Sequence, residues 1–97
     1  HVATGTIVRR KQREAEQRLL KLAAYRNEKI KGSPAQIERA IDGPTNRFHY
    51  VDFHDSMAAW EAARATLDAD PEWNRLLADA GELVEGNIEH HFSQVIE

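Results

Sequence analysis

The chain has 97 residues, no cysteine and a net charge of −3. This length suits one domain with a single core, so we expect one domain over residues 1–97. No apolar run reaches the roughly 20 residues that cross a bilayer, no signal-peptide pattern opens the chain, and disulfide or thiolate chemistry is excluded. We therefore expect a cytoplasmic protein with no membrane partner, and we treat His1, which stands where a methionine would, as a candidate expression remnant.

The first half of the chain predicts a strand, a long helix and a hairpin. Val2–Val8 is rich in β-forming residues and predicts the first strand. A helix is predicted from about Lys11 to Lys31, and the Gly-Ser-Pro that follows ends it. The alternating segment Gln36–Asp42 predicts the second strand, 42–46 a turn, and Arg47–His54 the third strand. The predicted inner stripe of the helix is Ala15, Leu19, Leu22, Ala23, Arg26 and Ile30.

The second half predicts a broken helix and a last strand. Asp55 or Ser56 is the expected N-cap of the first piece, and Asp70 with Pro71 opens the second piece. We expect Gly86 to end this helix and Ile88–Ile96 to form the fourth strand. The predicted inner residues of the first piece are Met57, Trp60, Ala63 or Arg64, and Leu67. Those of the second piece are Trp73, Leu76, Leu77, Ala80, Leu83 and Val84.

The order β-α-β-β-α-β predicts an α+β, ferredoxin-like fold. Its four-stranded antiparallel sheet has the order 4-1-3-2, with the helices on one face. The other face of such a sheet is normally polar. Strand three instead directs Phe48 and Tyr50 to one side and Val51 and Phe53 to the other. In strand four, Ile88, Phe92 and Ile96 share one side, and His91 and Val95 share the other. Both faces need cover, so we predict a homodimer through the face opposite the helices.

Two stretches carry a family resemblance: "FHYVDFHDSMAAWEAA" (48–63), a strand running straight into a helix, and the broken helix "LDADPEWNRLL" (67–77). With the element order and length, they resemble the dimeric α+β barrel superfamily. This group includes antibiotic-biosynthesis-monooxygenase-like proteins, polyketide cyclases and muconolactone isomerases. The resemblance implies sheets packed face to face across a dimer and a ligand between each sheet and its own helices. The implied lining residues are Trp60, Trp73, Phe48, Phe92 and His90.

For function, the resemblance implies a protein that binds a small apolar or aromatic molecule. One reading is a cofactor-independent monooxygenase or cyclase that acts on an aromatic or polyketide-like substrate by general-base catalysis. The other reading is a ligand-binding or sensing homodimer without catalysis. The sequence alone does not separate the two.

His54, Asp52 and Tyr50 are the candidate catalytic residues. All three lie on one face of strand three, where an imidazole could act as base, a carboxylate could orient it and a phenol could bind an oxyanion. The competing interpretation is that Tyr50 and Asp52 satisfy Arg39 or the sheet rim, with His54 near solvent. His49 lies on the opposite face, where we expect a packed or paired histidine.

The histidines do not predict a metal or a haem. Haem-degrading members of the superfamily hold iron through a helical histidine, whereas all five histidines here fall outside the predicted helices. The adjacent His90 and His91 point to opposite faces of a strand and cannot share one ion. His49 and His54 also diverge. We therefore predict no metal site and no cofactor.

RNA-recognition motifs share this element order and carry stacking aromatics on their third strand. Phe48, Tyr50 and Phe53 match that pattern, and nine of the 13 basic residues lie between residues 9 and 31. However, strand one has no aromatic residue to complete a stacking platform, and Asp52 would repel a phosphate backbone. We expect no nucleic-acid partner.

Overall fold

The computed structural model describes residues 1–41, 46–94 and 96. The strands are β1 (Val2–Ile7), β2 (Ala35–Arg39), β3 (Arg47–Asp52) and β4 (Val84–His91). The helices are α1 (Gln12–Lys29), α2 (Met57–Asp68) and α3 (Pro71–Gly81). Among these described helices, none combines the length and the apolar character needed to cross a bilayer.

The four strands form one antiparallel sheet in the order β2-β3-β1-β4, which confirms the predicted 4-1-3-2 topology. β1 lies in the centre beside β3, with Ala3 opposite Tyr50 and Gly5 opposite Phe48. Residues opposite each other point to the same face, so this register sets which side chains reach the helices. An alanine Cβ at Gly5 would lie only 2.7 Å from two atoms of the Phe48 ring, which shows that the ring crosses β1 at this glycine.

The core lies between the inner face of the sheet and α1 and α3. The predicted stripe of α1 is buried, and it includes Arg26 at 1% exposure. Ile7 and Phe48 from the sheet meet this stripe, and Trp73 and Leu76 from α3 complete the cluster. Burial of these apolar side chains is the main stabilising term of so small a domain.

Side-chain caps divide the second helical region as the sequence predicts. The Ser56 hydroxyl accepts a hydrogen bond from the Ala59 backbone N–H at 3.1 Å, so α2 begins at Met57. The Asp70 carboxylate accepts from the backbone N–H groups of Glu72 and Trp73, and Pro71 occupies the first position of α3. Each cap satisfies backbone donors that a helix start leaves without partners.

The end of α3 and the start of β4 differ from the prediction. α3 ends at Gly81, and β4 already begins at Val84, so Gly86 lies inside a strand instead of ending a helix. Gly86 has φ +71, and the register between β4 and β1 shifts at this point, which is typical of a β-bulge with glycine. Phe92 and Ile96 lie beyond the strand, and Met57 is 52% exposed and not in the inner stripe. The predicted turn at 42–45 and the predicted position of Val95 lie outside the described residues.

The outer face of the sheet is mixed in character. Val51 of β3 is half-buried, and Phe53, directly after β3, is 56% exposed, so apolar side chains do occur on this side. Val2 lies opposite Val51 and extends the patch. The outer residues of β4 are polar, because the register places Glu89 opposite Thr4 and His91 opposite Val2.

Candidate functional site

A cavity of about 360 Å³ lies between the inner face of the sheet and the three helices. Strands β1, β3 and β4 and all three helices contribute to its walls. Ligand cavities for small organic molecules start at about 300 Å³, so this one can hold a molecule of one to three rings. Its main apolar lining residues are Leu19, Leu22, Phe48, Trp60, Leu67 and Trp73.

The cavity exists because α2 packs mainly on α3 and stands away from the sheet. Trp60 of α2 bridges the gap: its ring meets Phe92 edge-on, with centroids 4.8 Å apart, and lies 5.3 Å from the His1 ring. The guanidinium of Arg64 lies over Trp60, at 5.3 Å from the ring centroid. This aromatic contact connects α2 to the ends of β1 and β4 and bounds that side of the cavity.

Asp52 is the centre of a buried polar cluster in the cavity wall. Its residue exposure is 4%. Oδ1 lies 2.7 Å from Nδ1 of His1, and Oδ2 lies 2.7 Å from Nε2 of His54. Oδ2 also accepts a hydrogen bond from Nη2 of Arg26 at 3.1 Å. Arg26 thus provides the positive charge that allows a buried carboxylate to stay ionised.

Arg26 itself is fixed from two sides. Its Nη1 donates to the backbone carbonyl of Ser33, in the loop that follows α1, and to Oδ1 of Asn27 at 3.4 Å. Asn27 in turn exchanges two hydrogen bonds with the backbone of Ala35, which holds the same loop. Among the described residues, Nε of Arg26 has no hydrogen-bond partner. The guanidinium is therefore held in place chiefly through its two Nη groups.

The contacts of Asp52 determine the tautomers of the two imidazoles. A carboxylate can only accept hydrogen bonds, so His1 donates through Nδ1. Nε2 of His54 lies 2.7 Å from Oδ2 of Asp52 and 3.3 Å from Nη2 of Arg26, which is itself a donor, so we assign the proton to Nε2 on the shorter contact. The Nδ1 atom of a neutral His54 is then unprotonated and able to accept a proton. The His54 side chain is 5% exposed and lines the cavity. This is the arrangement in which a carboxylate orients a general base.

Tyr50 stands beside this cluster as a neutral phenol. Burial raises the pKa of Tyr50 to about 12, with the nearby Asp52 adding to the effect and Arg26 opposing it. At neutral pH the hydroxyl keeps its proton. It can therefore donate a hydrogen bond to a ligand oxygen, and it cannot serve as a base.

His1 and His90 extend the cluster toward solvent. The N-terminal amino group of His1 donates to the Asp52 carbonyl at 3.0 Å, and the Asp52 N–H donates to the His1 carbonyl at 3.1 Å. These two hydrogen bonds continue the pairing of β1 with β3, turn the His1 ring inward and place the amino group beside the cluster. Nε2 of His1 lies 2.9 Å from Nδ1 of His90, and the two rings are stacked with centroids 5.2 Å apart. His90 itself is exposed and lines the cavity.

The candidate residues from the sequence converge in one place. Tyr50, Asp52 and His54 line the cavity together, and so do Phe48, Trp60, Trp73 and His90. Phe92, which was predicted to line the cavity, is not among its lining residues and instead packs on Trp60 behind the wall. The alternative interpretation paired Tyr50 and Asp52 with Arg39. Arg39 does not contact either residue, and its Nε instead donates to Glu16 at 2.7 Å. On the outer face, His49 is paired as expected, with its Nδ1 2.9 Å from the Thr4 hydroxyl.

Sequence reasoning missed Arg26 and His1 as site residues. Arg26 carried a signal: a charged side chain inside an apolar helical stripe needs a buried partner. His1 carried none, because its inward orientation depends on the register of β1 against β3. Within the described residues, no three histidine, aspartate or glutamate side chains are arranged to hold a metal ion.

Comparison with known proteins identifies the family. A solved structure from Deinococcus radiodurans, provisionally named an antibiotic biosynthesis monooxygenase, has a TM-score of 0.71 and 16% identity, over 99% of this chain and 93% of that one. At such low identity this likeness shows the fold alone, and it confirms the predicted ferredoxin-like fold. No curated protein sequence matches the chain significantly. The sequence profile of the NIPSNAP family matches residues 2–93, and the protein belongs to that family.

Proposed function

We propose that the protein binds one small, largely apolar and aromatic molecule with a weakly acidic hydroxyl, and removes that proton without a cofactor. The observation that carries this proposal is the combination of an apolar cavity with a single buried polar cluster in its wall. The apolar walls favour ring systems, because burial of their surface is the main source of affinity. The cluster supplies the only wall groups in the described chain that are both buried and charged, Arg26 and Asp52.

In the proposed chemistry, His54 is the general base. Its Nδ1 takes the proton of a bound phenol or enol, and Asp52 stabilises the imidazolium that results. Tyr50 donates a hydrogen bond to the oxygen that becomes negative. The bound anion is then the electron donor for a reaction with O₂, as in a cofactor-independent monooxygenase, or the nucleophile of an aldol-type cyclisation.

The test is turnover of a panel of quinols and polyphenols under oxygen, with no added metal or flavin. Binding is followed separately by quenching of the two tryptophans, both of which line the cavity. His54→Gln should lower turnover by about 10²–10⁴-fold, the usual contribution of a general base, and leave binding nearly unchanged. His49→Gln is the matched control, because it removes an imidazole from the same strand on the opposite face. Equal turnover in the two variants would exclude His54 as the base.

The second candidate function is ligand binding without catalysis, as in a sensor. One observation favours it: both oxygens of Asp52 and one nitrogen of each neighbouring imidazole are already satisfied within the protein. Such a cluster can serve structure alone. Tight binding of a panel member with no turnover, in wild type and in His54→Gln alike, is the result expected of a sensor.

We also propose a homodimer formed through the outer face of the sheet. Val2, Val51 and Phe53 form the apolar patch that supports this assembly, and the exposed Phe53 is its most prominent member. Sedimentation at micromolar concentration should give twice the 11.0 kDa of one chain. A single species at the monomer mass would reject the dimer, and Phe53→Asp should shift the wild-type protein toward that mass.

The proposal includes no nucleic-acid partner. Phe48 is 3% exposed and lies beneath the helices, so it cannot stack on a base at the open face of the sheet. Salt-sensitive micromolar binding to single-stranded RNA would contradict this part of the proposal.

A further inference from the structure

We infer that Asp52 serves two proton-carrying arms of one site, and that His90, acting through His1, is a second acid–base residue of the cavity beside His54. This inference rests on the proposed function and extends it from the weakly acidic hydroxyl of an enol to the ketone from which that enol forms: a proton is transferred between carbon and oxygen of an apolar ketone. The His54 arm is the pair Asp52–His54. The His90 arm is the row Asp52–His1–His90.

The geometry separates the two arms on one carboxylate. The His54 arm uses Oδ2 of Asp52, at 2.7 Å from Nε2. The His90 arm uses Oδ1, at 2.7 Å from Nδ1 of His1, and continues over 2.9 Å from Nε2 of His1 to Nδ1 of His90. Asp52 and the side chains of His1 and His54 are all less than 10% exposed, whereas His90 is exposed at the rim. Both terminal imidazoles line the same cavity.

Each hydrogen bond in these arms contains one proton, and this limits how many additional protons each arm can hold. Asp52 accepts on both oxygens, so no proton can pass through it from one arm to the other by successive transfers. Each arm can instead store one additional proton as an imidazolium beside the carboxylate. In the His54 arm this is His54 protonated at Nδ1. In the His90 arm it is His1 protonated at both nitrogens, with Nε2 donating to Nδ1 of His90 and His90 keeping its proton on Nε2.

One carboxylate and one guanidinium favour a single additional proton in the whole site. Asp52 offsets Arg26, and two imidazoliums around the same carboxylate would repel each other. The other titratable or charged residues that line the cavity are Tyr50 on β3 and Arg64 and Asp68 on α2. Tyr50 stays neutral, and Arg64 and Asp68 form an ion pair with each other at 3.7 Å. Within the protein, a direct transfer of the proton between the arms therefore needs a bound molecule, whereas the exposed His90 also exchanges protons with solvent.

This arrangement suits enolisation of a ketone. The C–H bond next to the carbonyl breaks, its proton goes to Nδ1 of His54, and its electron pair forms the carbon–carbon double bond. The carbonyl π pair goes to oxygen, which takes the proton from Nε2 of His90. Nδ1 of His90 gains a proton from Nε2 of His1, and His1 becomes neutral. The site ends with the same number of protons, moved from the His90 arm to the His54 arm. Before the reverse step, the proton on Nδ1 of His54 exchanges with solvent, so in D₂O the carbon receives deuterium.

The experiment uses 2-tetralone, an apolar bicyclic ketone, and follows deuterium incorporation at carbon 1 in D₂O by proton NMR. We expect the wild-type protein to accelerate exchange above buffer. His90→Gln and His54→Gln should each lower that acceleration by at least about tenfold. His91→Gln is the matched control, because His91 follows His90 in the same strand, points to the opposite face and has a 66% exposed side chain. Thermal unfolding followed by circular dichroism verifies that each variant is folded.

The pH profile gives a readout that a structural role would not change. Wild-type exchange should rise and then fall with pH, because one arm must be neutral and the other protonated. His90→Gln should abolish the fall at high pH, because the arm that must carry the proton no longer reacts.

The outcomes separate this inference from the function on which it rests. If His90→Gln exchanges at the rate of His91→Gln while His54→Gln is impaired, the two-arm inference is wrong and the proposed general base stands. If 2-tetralone quenches the tryptophans without accelerated exchange, the inference is also wrong, and the quinol panel still tests the proposed function. If neither 2-tetralone nor any quinol binds, the proposed function itself is overturned.

Discussion

Removal of the carboxylate at Asp52 should destabilise the fold far more than loss of an ordinary ion pair. Asp52→Asn keeps the size of the side chain but leaves the guanidinium of Arg26, 1% exposed, without a negative partner. Breaking a buried pair by removing one charge typically costs about 3–5 kcal/mol. For a domain of this size, whose total stability is on the order of 5–15 kcal/mol, that is a large share.

The partner variant should behave differently, because Asp52 has other donors. In Arg26→Met the carboxylate keeps its hydrogen bonds from His1 and His54. The loss of stability in Arg26→Met should therefore be smaller than the loss in Asp52→Asn, which leaves a buried positive charge with no negative partner.

The assay is urea unfolding at neutral pH, followed by far-ultraviolet circular dichroism and analysed by linear extrapolation. The double variant Arg26→Met/Asp52→Asn should lose less stability than the sum of the two single variants by about 0.5–3 kcal/mol, as expected for residues in direct contact. Arg39→Met is the control: it breaks the exposed pair with Glu16 and should lower the free energy of unfolding by at most about 1 kcal/mol. Losses for Asp52→Asn and Arg26→Met that match the control would refute the electrostatic reasoning.

Three further predictions concern single features. Gly5→Ala should lower the free energy of unfolding in urea by about 1–3 kcal/mol and weaken ligand binding. The new methyl group would lie 2.7 Å from the Phe48 ring and force that ring toward the cavity. Unchanged stability and unchanged binding would contradict this prediction. Ser56→Ala should cost about 1 kcal/mol through loss of the α2 cap, with Ser56→Asp close to wild type. Tyr25→Phe removes the other tyrosine, so that ultraviolet titration then follows Tyr50 alone and should place its ionisation near pH 12. The free energy of unfolding should fall by about 2 kcal/mol between pH 10 and 12, because the tyrosine of the unfolded chain loses its proton at a lower pH than that of the folded chain. Ionisation near pH 10 in the folded protein would show that the phenol is not buried.

Local patterns were sufficient to predict most of the fold. The caps at Ser56 and Asp70 and the stripe of α1 depend on spacing within a few residues, so the sequence reveals them directly. The strand alternation at 48–54 likewise places Tyr50, Asp52 and His54 on one face before any tertiary contact is known.

Features that depend on strand pairing or on contacts between distant residues could not be predicted from the sequence pattern. Gly86 was misassigned because a helix end and a β-bulge both use glycine with a positive φ, and only the strand register distinguishes them. Arg26 was correctly expected inside, but its partner Asp52 lies 26 residues away, and its role became clear only when α1 was packed on β3. The outward polarity of Glu89 and His91 follows from the same register.

The bulge at Gly86 has a consequence for how the site can diverge between related chains. Before the bulge, Thr6 lies opposite Glu85; after it, Thr4 lies opposite Glu89, so β4 contains two additional residues at this point. Strand alternation has a period of two, so loss of the bulge with no change in length would keep every face assignment while sliding the rest of β4 by two residues along β1. Ile88 would then take the place of His90 opposite Ala3 and beside His1. A change in strand register, with no substitution among the residues that line the cavity, would convert a titratable wall of the cavity into an aliphatic one.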